Sequence, residues 1–125
     1  MNKQKLKLNS EENVRILVDK HYEKLLNSEE TAGIFEHLNL EEHLPRVVLF
    51  WSFALNLPGA SYRGNVFEKH AHLHLTKNHF DKWLQFFFEA LDENFEGLEV
   101  EQLQFRANAI AFSFMVKLGL LEDKS

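Results

Sequence analysis

Apolar residues recur at helical spacing over four long segments of this 125-residue chain, and this periodicity constrains the fold more than any other feature. The two prolines and five glycines are confined to a few places, so little interrupts the helical pattern. Ser10 is suited to cap the first helix, because Glu11 and Glu12 follow it in the first turn. The pattern predicts an all-α protein with one domain over residues 1–125, of which residues 1–9 are expected to be loose.

The breakers between the apolar segments give approximate helix limits. The predicted helices, one of them short, cover about residues 11–27, 43–55, 66–73, 77–95 and 99–118. Thr76 or Asn78 is expected to cap the helix that runs through Phe95. His43 heads the apolar face of the second helix, and Pro45 lies in its first turn unless this helix begins earlier, near Leu40.

Charge and cysteine content exclude several classes of function. The 14 basic and 19 acidic residues give a net charge of −5, and no basic cluster is present that would neutralise phosphates, so nucleic-acid binding is not expected. The chain has no cysteine, which excludes disulfides and cysteine-ligated metal. No segment reaches the length of a membrane span or of a signal peptide, so we expect a cytoplasmic protein without membrane contact.

The chain is rich in aromatic side chains, with twelve Phe, two Trp and two Tyr. Rings supply large, flat apolar walls, which suit a core that encloses a flat ligand. A Phe-rich core with nothing inside it fits the composition equally well, and the composition leaves both interpretations open.

Seven histidines offer candidate metal ligands. Of the cluster between residues 70 and 79, only His70 and His74 would share a helix face, and no acidic residue lies at a familiar zinc spacing. A zinc-binding helical module is therefore one alternative. A haem pocket instead needs one imidazole on the iron and a polar group on the opposite side, for which His70 and His43 are candidates. Taken alone, His43 is better explained as a hydrogen-bonded histidine at a helix end.

Several short motifs, in this order and spacing, resemble the third group of the truncated haemoglobins. They are Glu42-His43-Leu44-Pro45, Phe50-Trp51, Gly59-Ala60-Ser61-Tyr62-Arg63-Gly64-Asn65, His70, and His79-Phe80-Asp81-Lys82-Trp83-Leu84. Each motif alone is weak, whereas their order and spacing together are specific, and the resemblance extends from about Tyr22 to Lys117. It implies an abbreviated globin fold, a two-over-two helical sandwich around haem b.

The resemblance also implies roles for individual residues. His70 corresponds to the proximal iron ligand, and Tyr22, His43 and Trp83 correspond to the distal groups that face a gas ligand. Candidate residues for the walls of the haem pocket, assigned by periodicity as much as by resemblance, are Phe35, Phe50, Tyr62, Phe80 and Phe87.

The implied function is the binding of oxygen and related diatomic ligands. Nitric oxide or peroxide chemistry, with a reductase as partner, stays open, because distal donors can also polarise a bound ligand. A cofactor-free helical protein-interaction domain is the second alternative to this function, beside the zinc module. The sequence departs from the family pattern at Val66, where proline is frequent, and at His21, where an apolar aromatic residue is usual. His21 is expected at the pocket edge, near a propionate, or on the surface.

Overall fold

A computed structural model describes residues 4–36, 38–60 and 74–121 of the chain. These residues form four α-helices and a short 3₁₀ turn. They are α1 (Glu11–Leu26), the 3₁₀ turn (Ala32–Phe35), α2 (Leu40–Ala54), α3 (Lys77–Asn94) and α4 (Leu98–Lys117). The predicted all-α fold is confirmed. Within the described ranges, no helix is both long and apolar enough to cross a membrane.

Side-chain caps set the first residues of α1 and α3. The Ser10 hydroxyl accepts a hydrogen bond from the backbone N–H of Asn13 at 3.2 Å, as its position before α1 predicts. At α3 the choice between Thr76 and Asn78 falls on Thr76, whose hydroxyl accepts from the N–H of His79 at 3.2 Å. In return, the backbone N–H of Thr76 donates to Nδ1 of His79 at 3.0 Å, which completes a reciprocal capping box.

The helix α2 begins at Leu40, earlier than the expected start beside His43. The side chain of Asn39 caps it, so His43 lies in its first turn and Pro45 lies inside the helix. Because proline has no N–H, the carbonyl of Glu41 lacks its usual helical partner. Glu41 is exposed, so water can satisfy that carbonyl.

The helices pack as two pairs around an apolar core. The helix α1 contacts both α2 and α3, α3 also contacts α4, and α2 touches α4. The apolar stripes predicted from the 3.6-residue period provide the core, because each stripe is the face that meets a neighbouring helix. Its fully buried members include Val14, Leu17, Phe87, Leu91 and Leu103.

The expectation that residues 1–9 are loose is wrong for Leu6 and Leu8. Leu8 is fully buried. Leu6 pairs with the end of α3 and the residues that follow it: its N–H donates to Asn94 O at 2.9 Å, and the N–H of Glu96 donates to the Leu6 carbonyl at 3.0 Å. This pairing joins residues almost ninety positions apart and follows no helical period, so local sequence patterns could not indicate it.

Candidate functional site

A cavity of about 480 Å³ lies between the helices. Most of its walls are apolar or aromatic side chains, and a few polar groups converge on the same space, as in pockets that bind cofactors. The side chains that line it are His21, Tyr22, Leu25, Thr31, Ile34, Phe35, Leu38, His43, Arg46, Val47, Phe50, Trp51, Leu75, His79, Phe80, Trp83, Ile110, Ala111 and Phe114. All three predicted distal residues, Tyr22, His43 and Trp83, therefore face one cavity.

Tyr22 and His43 are joined across the interface of α1 and α2. The hydroxyl of Tyr22 lies 2.8 Å from Nε2 of His43, and the two rings meet edge to face at 5.6 Å. Tyr22 is only 6% exposed, and burial raises the pKa of its hydroxyl above the ordinary value. The group therefore remains a neutral O–H that donates or accepts a hydrogen bond.

Trp83 stands in a stack of three aromatic rings. It lies parallel to Phe87, one turn later in α3, with ring centroids 5.7 Å apart, and Trp51 of α2 stacks on Phe87 at 4.8 Å. This stack fixes the orientation of the indole that faces the cavity. Trp83 lines the cavity, and no hydrogen bond of its indole N–H is found within the described residues.

His21 is buried, which excludes the surface position among the three that the sequence left open. It is 2% exposed, and its Nε2 lies 3.0 Å from the backbone carbonyl oxygen of Trp83. Burial lowers the pKa of His21 to about 3, although the hydrogen bond to the Trp83 carbonyl acts in the opposite direction. The imidazole is therefore neutral near pH 7 and forms part of the cavity wall.

Three of the predicted wall residues, Phe35, Phe50 and Phe80, line the cavity. Phe87 does not, which corrects the prediction for that residue: it is fully buried behind the wall, where Trp51 and Trp83 stack on it. Helical periodicity identified Phe87 as inward-facing, but it could not distinguish a residue at the wall from one directly behind it.

Two predicted residues, Tyr62 and His70, lie outside the described residues, as does the short helix expected over residues 66–73. The same holds for His72 of the histidine cluster. Among the side chains that the structure does describe, no group of three His, Cys, Asp or Glu could hold a metal ion. His74, the member of the cluster next to α3, is exposed.

Three more polar residues line the cavity: Thr31, which sequence reasoning missed, Arg46 and His79. The hydroxyl of Thr31 donates to the Leu25 carbonyl at 2.6 Å and so fastens the turn after α1. Arg46 is three residues after His43 in α2 and thus on the same helix face, a signal that the spacing offered. The spacing of residues did not indicate the two roles of His79, which both completes the cap of α3 and lines the cavity.

A second hollow, of about 450 Å³, lies between the end of α2 and α4. Its lining includes the polar or charged side chains of Asn56, Glu101, Gln102 and Arg106. A polar, open surface of this kind gives no means of excluding water from a ligand. The apolar cavity beside Tyr22 is therefore the candidate site.

The chain is similar to known proteins both in its sequence pattern and in its fold. Residues 7–112, most of the chain, match the family described as bacterial-like globin. No curated protein is significantly similar in sequence.

Solved structures of similar fold include three truncated haemoglobins. The group III truncated haemoglobin from Campylobacter jejuni is 24% identical and superposes with a TM-score of 0.83, over 92% of this chain and 95% of that one. The truncated oxygen-avid haemoglobin from Bacillus subtilis is 24% identical, with a TM-score of 0.75 over 85% and 93% of the two chains. The group II protein from Bacillus anthracis is 21% identical, with a TM-score of 0.75 over 90% and 92%. At these identities the structures show a shared fold.

Proposed function

Because this chain belongs to the bacterial-like globin family, we propose that its apolar cavity binds haem b and that the protein takes up oxygen or a related diatomic ligand there. The observation that carries the proposal is the convergence of the Tyr22, His43 and Trp83 side chains on one apolar cavity. A cofactor-free helical domain gives no reason for three polar groups from three helices to face a shared hollow.

The cavity is chemically suited to haem. Its volume of about 480 Å³ lies within the range of cofactor pockets. Aromatic walls such as Phe35, Phe50 and Phe80 can pack on a flat macrocycle. The indole N–H of Trp83 and the neutral hydroxyl of Tyr22 are the kind of donors that a small polar ligand requires. Bound haem would supply an iron atom that coordinates diatomic ligands.

His70 is the residue we assign to the iron. It lies outside the described residues, and its assignment rests on the motif order that resembles the third group of truncated haemoglobins. We place the chain in that group on the same basis. Neutral imidazole is the commonest protein ligand of haem iron in globins.

The distal residues would act on the ligand through hydrogen bonds. A ligand that gains partial negative charge is stabilised by O–H and N–H donors, and each such bond contributes about 1 kcal/mol, or more where water is excluded. Tyr22 is already paired with His43 at 2.8 Å; in the tautomer in which Nε2 of His43 donates to the Tyr22 oxygen, the O–H of Tyr22 is a preorganised donor to the ligand. Trp83 supplies a second donor from α3.

Three finer assignments complete the proposal. Oxygen is the ligand we favour, because neutral donors surround the cavity; nitric oxide or peroxide turnover would use the same donors and would need a reductase as partner. We assign the protein to the cytoplasm, as expected from its sequence. Oxygen transport and oxygen-dependent chemistry both follow from such a site, and the rate of oxygen release decides between them.

Titration of the purified chain with haemin tests the proposal. We expect a Soret band that saturates at a single haem per chain, and we expect the His70→Ala variant to lose stable coordination of the iron. The matched control is His74→Asn, since His74 is exposed and near His70 in sequence, and asparagine tolerates the positive φ of 53° found there. A chain that stays colourless with haemin would contradict the proposed function, and an unchanged ferrous spectrum in His70→Ala would contradict the ligand assignment.

A further inference from the structure

His21 occupies a position that joins the two helices bearing distal donors. It directly precedes Tyr22 in α1, and its ring is buried against α3, where Trp83 is located. Its residue type departs from the apolar aromatic residue that is usual at this place in the resembling family. A buried polar group needs a hydrogen-bond partner, and the partner of His21 indicates what this residue does in the fold.

The partner is the backbone carbonyl of Trp83, 3.0 Å from Nε2 of His21. A carbonyl oxygen only accepts hydrogen bonds, so Nε2 carries the proton and Nδ1 does not. This carbonyl belongs to the interior of α3, where one lone pair is used by the helix itself, and His21 donates to the other. Burial lowers the pKa of His21 to about 3, so this neutral tautomer persists at physiological pH.

The same ring contacts both distal donors. Its centroid lies 5.6 Å from that of Tyr22 and 5.3 Å from that of Trp83, in each case edge to face. A third edge contact, at 5.0 Å, reaches Phe87 beneath the indole. A phenylalanine ring could make all three contacts, but only a donor such as histidine adds a directional bond from α1 to α3.

We propose that His21 is a positioning residue: its hydrogen bond to the Trp83 carbonyl fixes α3 against α1 and so sets the separation between the Tyr22 hydroxyl and the Trp83 indole. The consequence for ligand binding rests on the proposed function, whereas the positioning itself is a property of the chain alone. His21 acts through its two neighbours and is not required to touch the ligand.

Another buried bond in the same fold shows what a purely local bond looks like. The side-chain amide of Asn94 donates to the carbonyl of Ala90 at 2.9 Å, within its own helix α3. That bond connects no second helix, and Asn94 is not part of the cavity lining. It offers a matched control, because both bonds run from a buried side chain to a backbone carbonyl of α3.

Three variants separate the bond from the ring. His21→Phe keeps an aromatic ring and removes the donor; His21→Gln removes the ring and retains an amide donor near the position of Nε2. Asn94→Ala removes the control bond. In the haem-free protein, NMR would report the imidazole tautomer of His21 together with the resonances of the Trp83 indole and the Tyr22 ring. In the haem-loaded protein, the C–O stretching band with carbon monoxide and the oxygen dissociation rate would report the distal donors.

We expect an Nε2-protonated imidazole in the unmodified protein. In His21→Phe we expect shifted or broadened Trp83 and Tyr22 resonances, a broadened or split C–O band, and oxygen release faster by roughly two- to fivefold, as for loss of one well-placed hydrogen bond. His21→Gln should lie closer to the unmodified protein than His21→Phe in each readout. Asn94→Ala should lose stability and leave all of these signals unchanged.

Several results would overturn the proposal. They are a protonated Nδ1, a His21→Phe variant indistinguishable from Asn94→Ala, and a His21→Gln variant altered as much as His21→Phe, which would assign the effect to the ring. If His21→Phe does not fold, the tautomer and His21→Gln still decide. If the unmodified chain binds no haem, the proposed function fails, while the haem-free NMR comparison still tests the positioning.

Discussion

Two groups of residues on the same pair of helices behave differently. Val14 and Leu17, early in α1, and Leu91, late in α3, are fully buried members of the apolar core. Tyr22, later in α1, and Trp83, earlier in α3, face the cavity. The apolar group is held by packing alone. The cavity group is held by specific links, from Tyr22 to His43 and from His21 to the Trp83 carbonyl.

This difference indicates that the two groups on each helix have different roles. Apolar packing contributes most of the stability, because every buried methylene adds to it, whereas hydrogen bonds fix direction and add little net free energy. We therefore expect substitutions in the apolar group to change the unfolding free energy and to leave ligand chemistry intact. Substitutions in the cavity group should do the reverse.

The largest expected effect is that of Leu91→Ala in the apolar group. Leu91 is fully buried, and truncating such a leucine removes burial and leaves a cavity, at a cost of about 3 kcal/mol. Urea unfolding of the haem-free protein measures this loss. Leu98→Ala is the matched control, because Leu98 is 64% exposed and should change the unfolding free energy by less than about 0.5 kcal/mol. A changed oxygen dissociation rate in Leu91→Ala would contradict the separate roles of the apolar group and the cavity group.

Acid should weaken the fold through His21. Its pKa falls from 6.5 to about 3 on folding, so the unfolded chain binds the extra proton and the folded chain does not. Stability is therefore complete above pH 6.5 and decreases as the pH falls towards 3. Between pH 6 and pH 4 this amounts to roughly 2.5 kcal/mol, since one pKa unit corresponds to about 1.4 kcal/mol.

Urea unfolding across that pH range measures the acid effect, with His21→Phe as the comparison, because phenylalanine cannot bind a proton. The difference in unfolding free energy between the two proteins should change with pH in this window and be constant above it. Parallel profiles would show that His21 does not titrate as its burial implies.

Much of this architecture could be predicted from the sequence, and the rest could not for identifiable reasons. The stripe of α3 and the Ser10 and Thr76 caps are local features, so the spacing of residues was enough to predict them. The pairing of Leu6 with Phe95 and the bond from His21 to Trp83 join residues far apart in the chain, and no local pattern encodes them.

The site shows the same limit. That Tyr22, His43 and Trp83 share a cavity followed from a resemblance in motif order, and the structure brings them together. The depth of Phe87 behind the wall depends on the sizes of Trp51 and Trp83, which a periodicity argument does not consider. The role of His70 stays a prediction.

Tyr22→Phe tests the cavity group with a smaller effect. Removing the hydroxyl takes away the partner of His43 Nε2 at 2.8 Å and one donor to the ligand. We expect oxygen to dissociate about fivefold faster, corresponding to about 1 kcal/mol, as measured by stopped-flow displacement. Thr31→Val is the control, since its hydroxyl also belongs to the cavity lining but is committed to the Leu25 carbonyl. An unchanged rate in Tyr22→Phe would remove this residue from the distal donors.

Ser52→Ala has the smallest expected effect and is the strictest test of the comparison between packing and hydrogen bonding. Ser52 is fully buried in α2, and its hydroxyl has no hydrogen-bond partner among the described residues, unlike the side chains of His21 and Tyr22 at the cavity. An unpaired buried hydroxyl is unfavourable, and alanine is also the better helix former, so the variant should be neutral or more stable by up to about 1 kcal/mol in urea unfolding. A loss of more than about 1 kcal/mol would mean that this hydroxyl has a partner such as buried water. In that case packing alone would not account for the buried interior of the helices.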